Sequence, residues 1–187
     1  MARWEPDSRG RLEQAALALY SERGFENTTV AEIAERAGLT ERTFFRHYAD
    51  KREVLFGGGT ELQDRMVTAV DEAPASATPM EAAGAGLRAA ADLLQQRRAF
   101  ARQRARIIAA SAELRERELI KLASLASAFA DALGRRGVAG PAASLTGEVA
   151  IAVFRSAFER WVDEADDRDF PEIMRESLDE LAAVTAR

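Results

Sequence analysis

Apolar residues recur at helical spacing from one end of this chain to the other, and proline, which a helix interior does not tolerate, never falls inside a stretch. Pro6, Pro74, Pro79, Pro141 and Pro171 each lie outside a helical pattern or at its start. Alternation of β-branched residues is absent, and alanine, leucine, arginine and glutamate, all strong helix formers, dominate. The expected fold class is all-α.

The first helix is expected over about Arg9–Arg23, where Leu12, Ala15, Ala16, Leu19 and Tyr20 share a face. Asp7 or Ser8 can cap its start and Gly24 can end it. A short second helix, about Val30–Ala37, opens on Thr29 and Glu32, the Thr-x-x-Glu capping box. A third starts after Thr40 and runs to about Tyr48. Asp50 and Glu53 open a fourth that reaches about Asp71 through Gly57, Gly58 and Gly59. Three interior glycines cost roughly 3 kcal/mol against alanine, and Thr60 with Gln63 resembles a fresh cap, so the helix either kinks here or breaks and restarts, the kink being favoured. After a linker over Glu72–Thr78, helices are expected at about Met80–Arg97, Ala99–Ala110, Leu114–Arg135, Ala142–Ala165 and Pro171–Val184.

Composition excludes several chemistries. Without cysteine there is no disulfide, Cys-ligated zinc, iron–sulfur cluster or thiol nucleophile, and a single histidine cannot build a multi-His metal site. The 26 Lys+Arg against 31 Asp+Glu give −5, which rules out nucleic-acid binding by a uniformly basic coat but leaves room for a local basic face. No apolar run approaches the ~20 residues that span a bilayer, and Met1–Gly10 is polar with no signal-peptide core. A cytoplasmic address is expected, with no membrane, no metal, no cofactor and no catalytic residue; no Gly-x-Ser-x-Gly motif is present.

Residues 25–55 carry the functional signal. Two short helices joined at Gly38 make a helix-turn-helix, with small Ala34 where the helices cross and glycine where a left-handed backbone is needed. Val30, Ile33, Ala37, Leu39, Phe44 and Tyr48 are placed to face the first helix. From Arg36 to Arg52 five basic residues (Arg36, Arg42, Arg46, Lys51, Arg52) meet two acids (Glu41, Asp50), a local +3 suited to phosphates. Unrelated helical hairpins share this pattern.

The run Gly24-Phe25, Thr28–Thr40 (Thr-Thr-Val-Ala-Glu-Ile-Ala-Glu-Arg-Ala-Gly-Leu-Thr), Arg42–Tyr48 and Asp50–Leu55 resembles the DNA-binding domain of TetR-family transcriptional regulators over about residues 9–56. The resemblance implies an N-terminal three-helix helix-turn-helix DNA-binding domain (1–50) and a C-terminal helical ligand-binding and dimerisation domain (51–187). It implies a homodimer on a palindromic operator in double-stranded DNA, usually a repressor released by a small molecule. Carried over by position, Thr29 and the start of its helix hold a phosphate, and Thr40, Arg42 and Thr43 form the exposed start of the recognition helix. Arg42 is the foremost base reader, since a guanidinium bonds guanine O6 and N7 together. Many relatives have glycine there, so the base sequence read is expected to differ. Phe45 stands where many relatives have tyrosine, and is divided between packing and a thymine-methyl contact. His47 and Lys51 match phosphate-contacting positions. Phe44 and Tyr48 are expected in the core.

Beyond that domain, the helix around Leu145–Ala165 is apolar on two faces, Ile151, Phe154, Phe158 and Trp161 on one and Leu145, Val149, Ala152 and Val153 on another. The second face is assigned to a subunit interface completed by Ile173, Met174, Leu178 and Leu181, or else to the interior of a monomer. Arg97, Arg98, Arg102, Arg104 and Arg106 form a run with no acid between Asp92 and Glu113, either a solvated basic face or a site for an anionic, amphipathic effector. The segment Glu113–Leu119 resembles a TetR subgroup with an acyl-CoA-like ligand domain. On that reading Arg102 and Arg106 meet the effector's charge, while Phe129, Phe154 and Phe158 line an apolar tunnel; equally, these rings fill the core. Two alternatives stand beside the ligand-responsive repressor: a helical enzyme, and a DNA-binding adaptor or activator with no small-molecule ligand.

Overall fold

The computed structural model describes residues 7–57, 59–163 and 168–186, and every regular element among them is a helix. The chain forms two compact units, one up to Gly58 together with Gln103–Glu116, the other Gly59–Arg102 together with Arg117–Arg187.

In the first unit α1 (Ser8–Arg23) packs on α2 (Val30–Arg36), α3 (Glu41–His47) and α4 (Glu53–Phe56). Asp7 caps α1 by accepting from the Gly10 N–H at 2.9 Å, and Gly24, at φ +83°, ends it. Leu12, Ala16 and Leu19 of α1, Ile33 of α2 and Phe44 of α3 are almost fully buried, each large side chain contributing about 1.5–3 kcal/mol. The first unit continues past residue 50, with Val54, Leu55 and Phe56 of α4 buried and α4 packed on α1. The segment 103–116 comes from α7 (Arg98–Ala110) and the start of α8 (Ala112–Arg135). Gln103 Nε2 donates to Ser21 Oγ at 2.9 Å, Arg104 Nε to the Leu55 carbonyl at 2.7 Å, and Ser111 Oγ to Glu26 Oε1 at 3.1 Å.

A kinked continuous helix from Glu53 to Asp71 does not form. The first helical piece, α4, stops at Phe56, and α5 (Gly59–Asp71) starts anew; Gly58 itself lies outside the described residues. A Cβ at Gly57 would lie 2.9 Å from Tyr48 Cε1, and the Arg9 guanidinium donates to the Gly57 carbonyl. A bare backbone at Gly57 lets Tyr48 and Arg9 close on it where the helix would have continued.

In the second unit α5 packs on α6 (Pro79–Gln95), and α6 packs on α9 (Gly140–Asp163) and α10 (Phe170–Thr185). Thr78 and Glu81 form a reciprocal capping box at the start of α6, with Pro79 as its first residue. Gly86 permits the α5–α6 approach: a Cβ there would sit 2.9 Å from the Met66 carbonyl oxygen. The 72–78 linker is pinned by Arg136, whose guanidinium donates to the Ala73 and Pro74 carbonyls at 2.7 Å each. Ala165, the expected end of α9, lies outside the described residues. Ile173 and Met174, assigned from sequence to a subunit interface, are fully buried within their own unit, because α10 lies on both α6 and α9; Val153 is buried as well. Leu145, by contrast, is 66% exposed.

Candidate nucleic-acid interface

The turn between α2 and α3 is closed from both sides. The Leu39 N–H reaches back to the Ala34 carbonyl at 2.8 Å and the Gly38 N–H to Glu35 at 2.9 Å, with Gly38 at φ +65°. The Arg11 guanidinium donates to the Ala37 carbonyl, placing a cation at the negative end of α2. At the other end of α2, Thr29 and Glu32 form the expected capping box: the Glu32 N–H donates to Thr29 Oγ1 at 3.3 Å, and the Thr29 N–H and hydroxyl donate to the Glu32 carboxylate at 2.8 and 2.9 Å. The Thr29 hydroxyl proton is therefore engaged within the capping box. These bonds hold the Glu32 carboxyl below its usual range, the backbone bond from Thr29 most strongly.

Two aromatic rings anchor α3. Phe44 is fully buried and Tyr48 nearly so, their centroids 5.6 Å apart, and the Tyr48 hydroxyl donates to Glu13 Oε1 at 3.0 Å. Thr40 caps the helix by accepting from the Thr43 N–H at 3.2 Å, and the two threonine hydroxyls lie 3.1 Å apart. At 3.6 residues per turn, Arg42 and Arg46 project about 160° and 200° from Phe44, straight away from the anchor. Both are exposed, as are Thr29 and Thr40, while Thr43 is half-buried; among the described residues Arg42 has no hydrogen-bond or ion-pair partner. Phe45 is 55% exposed, its edge against Phe44 at 5.4 Å. Arg46 is a residue the sequence reading left out of the site; its i, i+4 relation to Arg42 was the available signal.

His47 is exposed, with Nε2 2.8 Å from Ser8 Oγ. Partial burial first, then the nearby Arg46 and Arg9, hold its imidazole below the ordinary histidine value. Lys51 is the main departure from expectation. Its ammonium donates to the carbonyls of Phe25 at 2.8 Å, Thr28 at 2.9 Å and Glu26 at 3.4 Å, and lies 4.3 Å from the Phe25 ring centroid. An ammonium has three donors, and here they point at the α1–α2 turn, two of them at 2.8 and 2.9 Å. The local +3 read from sequence shrinks likewise. Arg36 makes a bidentate pair with Glu22 at 2.9 and 3.0 Å, and Arg52 pairs with Asp50 and with Glu113 at 3.2 Å. The positive charge presented by α3 comes from Arg42 and Arg46.

Of the candidate effector residues, Phe129, Phe154 and Phe158 belong to one apolar core of the second unit. Phe154 and Phe158 stack at 6.0 Å in a cluster with Trp161 and Phe170, whose own rings stack at 4.5 Å. Phe129 is fully buried and abuts Gly86. Arg97 lies over Phe100, Arg98 donates to the Trp161 carbonyl, Arg104 serves the first unit and Arg106 is exposed, so the arginine run is not one basic face. Arg102 lines a cavity of about 380 Å³ in the second unit with Gln95, Arg98, Ala99 and Asp169. Among the described residues no group of His, Asp and Glu is arranged to hold a metal, and no helix is long and apolar enough to cross a membrane.

Comparison with known proteins places this geometry. Residues 13–56 match the profile described as bacterial regulatory proteins, tetR family, and residues 77–186 match that described as MftR C-terminal domain. The chain belongs to the TetR family. The relatives it matches are named as HTH-type transcriptional regulators. The chain is 37% identical over 82 residues to the HTH-type transcriptional regulator TcmR of Streptomyces glaucescens, covering 44% of this chain and 36% of TcmR. The match thus spans little more than a third of that relative. It is 25% identical over 154 residues to the Mycobacterium tuberculosis protein named as mycofactocin biosynthesis transcriptional regulator MftR, covering 81% and 78% of the two chains. Among solved structures, FadR from Bacillus subtilis in complex with stearoyl-CoA has the same fold, with TM-score 0.64 at 19% identity over 92% of this chain and 96% of that one.

Proposed function

We propose that this TetR-family regulator is a homodimeric repressor that reads a palindromic operator with α3 and lets go when a small molecule binds its second unit. The observation that carries the reading is the pair Arg42 and Arg46, exposed and aimed away from a helix pinned by Phe44 and Tyr48. A short helix anchored on one side and basic on the other suits the major groove, where its N-terminal residues meet base edges. Arg42 bonds a guanine, Thr40 and Thr43 offer hydroxyls, and Phe45 meets a thymine methyl. Arg46, His47 and the Thr29 end of α2 lie against phosphates. Two such helices need a spacing of ~34–36 Å. The exposed Leu145 and Ala152 on α9, with Val184 on α10 80% exposed, supply an apolar surface for pairing. The site of action is the cytoplasm, where an operator is found.

An effector acts by binding the DNA-competent and DNA-incompetent states with different affinity. Arg102 in its cavity suits an anionic group, and the stearoyl-CoA bound by FadR is an amphipathic anion of that kind. Packing of Phe129, Phe154 and Phe158 within their own core favours a second reading, an adaptor or activator with no small-molecule ligand.

Selection from a randomised duplex pool tests the function. Enrichment of an inverted repeat with half-sites about one helical turn apart supports it, and failure to enrich any shared sequence overturns it.

A further inference from the structure

Three residues close a ring inside the first unit. The Tyr20 hydroxyl donates to the Lys51 carbonyl at 2.6 Å. The Lys51 ammonium bonds the Phe25, Thr28 and Glu26 carbonyls and lies over the Phe25 ring. The Phe25 ring meets Tyr20 edge-on at 5.3 Å. Tyr20 and Phe25 are nearly fully buried, and Thr28 is 1% exposed. The turn that the ammonium binds is itself closed, with Thr28 Oγ1 donating to the Gly24 carbonyl at 2.9 Å and Asn27 Nδ2 to the Arg23 carbonyl at 3.0 Å.

We infer that Lys51 and Tyr20 form a latch that positions the recognition helix, with Lys51 binding the α1–α2 turn in place of a DNA phosphate. The inference rests on the reading of α3 as the base-reading element. A seven-residue helix has too few bonds of its own to hold its place. The chain leaving α3 arrives at Lys51 four residues later, and the turn that Lys51 grips delivers Thr28 directly to Thr29, the cap of α2. One ammonium thus ties the exit of α3 to the entry of α2, and the Tyr20 hydroxyl ties both to the end of α1. A binding constellation must be held to about 0.5 Å, so slack in this ring costs base recognition before it costs charge attraction. A phosphate could take the ammonium only by stripping the buried Phe25 and Thr28 carbonyls of their donors. Burial, reinforced by the Asp50 charge, pushes the Tyr20 phenol up, so it remains a donor at any working pH.

The test uses the full chain, a duplex selected by the wild-type protein from a random pool, and a random duplex of equal length. Lys51→Met keeps the aliphatic stem without donors. Tyr20→Phe removes one buried hydroxyl that cannot reach DNA. At a temperature where both variants are folded by circular dichroism, each is expected to lose about tenfold or more on the selected duplex, with random-duplex affinity and both salt slopes unchanged. Amide exchange in α2 and α3 should quicken in both. A fall of about 0.9 in the salt slope for Lys51→Met alone identifies a phosphate contact and overturns the latch. Equal losses on both duplexes, or retained preference, also overturn it. If the wild-type protein prefers no duplex, the reading of α3 fails, and amide exchange alone judges the latch: unchanged rates refute it.

Discussion

Arg42→Ala separates base reading from mere attraction. The side chain is exposed and bonds nothing among the described residues, so its truncation should move folding stability by less than about 0.5 kcal/mol. Its effect on DNA is then read without correction for unfolding. A bidentate arginine–guanine pair is worth about 1–3 kcal/mol of discrimination, and about 1.4 kcal/mol is tenfold. The selected duplex should lose roughly 5- to 150-fold while random DNA changes only through one lost charge. Arg36→Ala is the internal control, since its guanidinium is engaged by Glu22 at 2.9 and 3.0 Å; it should cost about 0–1 kcal/mol of stability and leave DNA binding alone. Fluorescence anisotropy on both duplexes over a salt series measures all of this. Equal losses for Arg42→Ala on selected and random DNA would refute its role as a base reader, and a matching loss for Arg36→Ala would refute the pairing argument.

Asp50 accepts from the Arg52 side chain and from the Arg52 and Glu53 N–H groups, which hold its carboxyl below the usual range. Its stabilising effect is thus present above the unfolded value near 3.9 and lost as pH falls through the lower folded value; acid melts of Asp50→Asn should be flatter between about pH 4 and 2. Gly86→Ala should destabilise the protein by about 1–3 kcal/mol in thermal or urea melts, since its Cβ meets the Met66 carbonyl at 2.9 Å and Phe129 at 3.0 Å. Leu145→Glu, at an exposed position of α9, should shift sedimentation toward monomer without lowering the melting temperature of the monomer.

Helix boundaries, caps and the helix-turn-helix were legible because they are local. The Thr29–Glu32 box lies within four residues, and the Phe44–Tyr48 anchor follows from helical spacing; the Thr78–Glu81 box is as local but went unread. What was hidden depends on partners far along the chain. Lys51 in a basic stretch reads as a phosphate ligand until the carbonyls of residues 25–28 are seen to surround it. Arg52 counts as free charge until Glu113 arrives from another helix. Ile173 and Met174 read as an outward stripe, yet α6 and α9 cover them, since periodicity gives a face and not what lies opposite. The glycine run marked where the fourth helix would kink or break but could not choose between them; the contacts of Gly57 with Tyr48 and Arg9, which come from far along the chain, were not legible.

Guanine methylation interference on the selected duplex tests the central claim most directly. The wild-type protein should reject fragments methylated at N7 of one guanine in each half-site, and Arg42→Ala should become indifferent to that guanine alone while still rejecting methylation elsewhere in the site. An interference pattern identical for the two proteins would show that α3 does not read bases through Arg42.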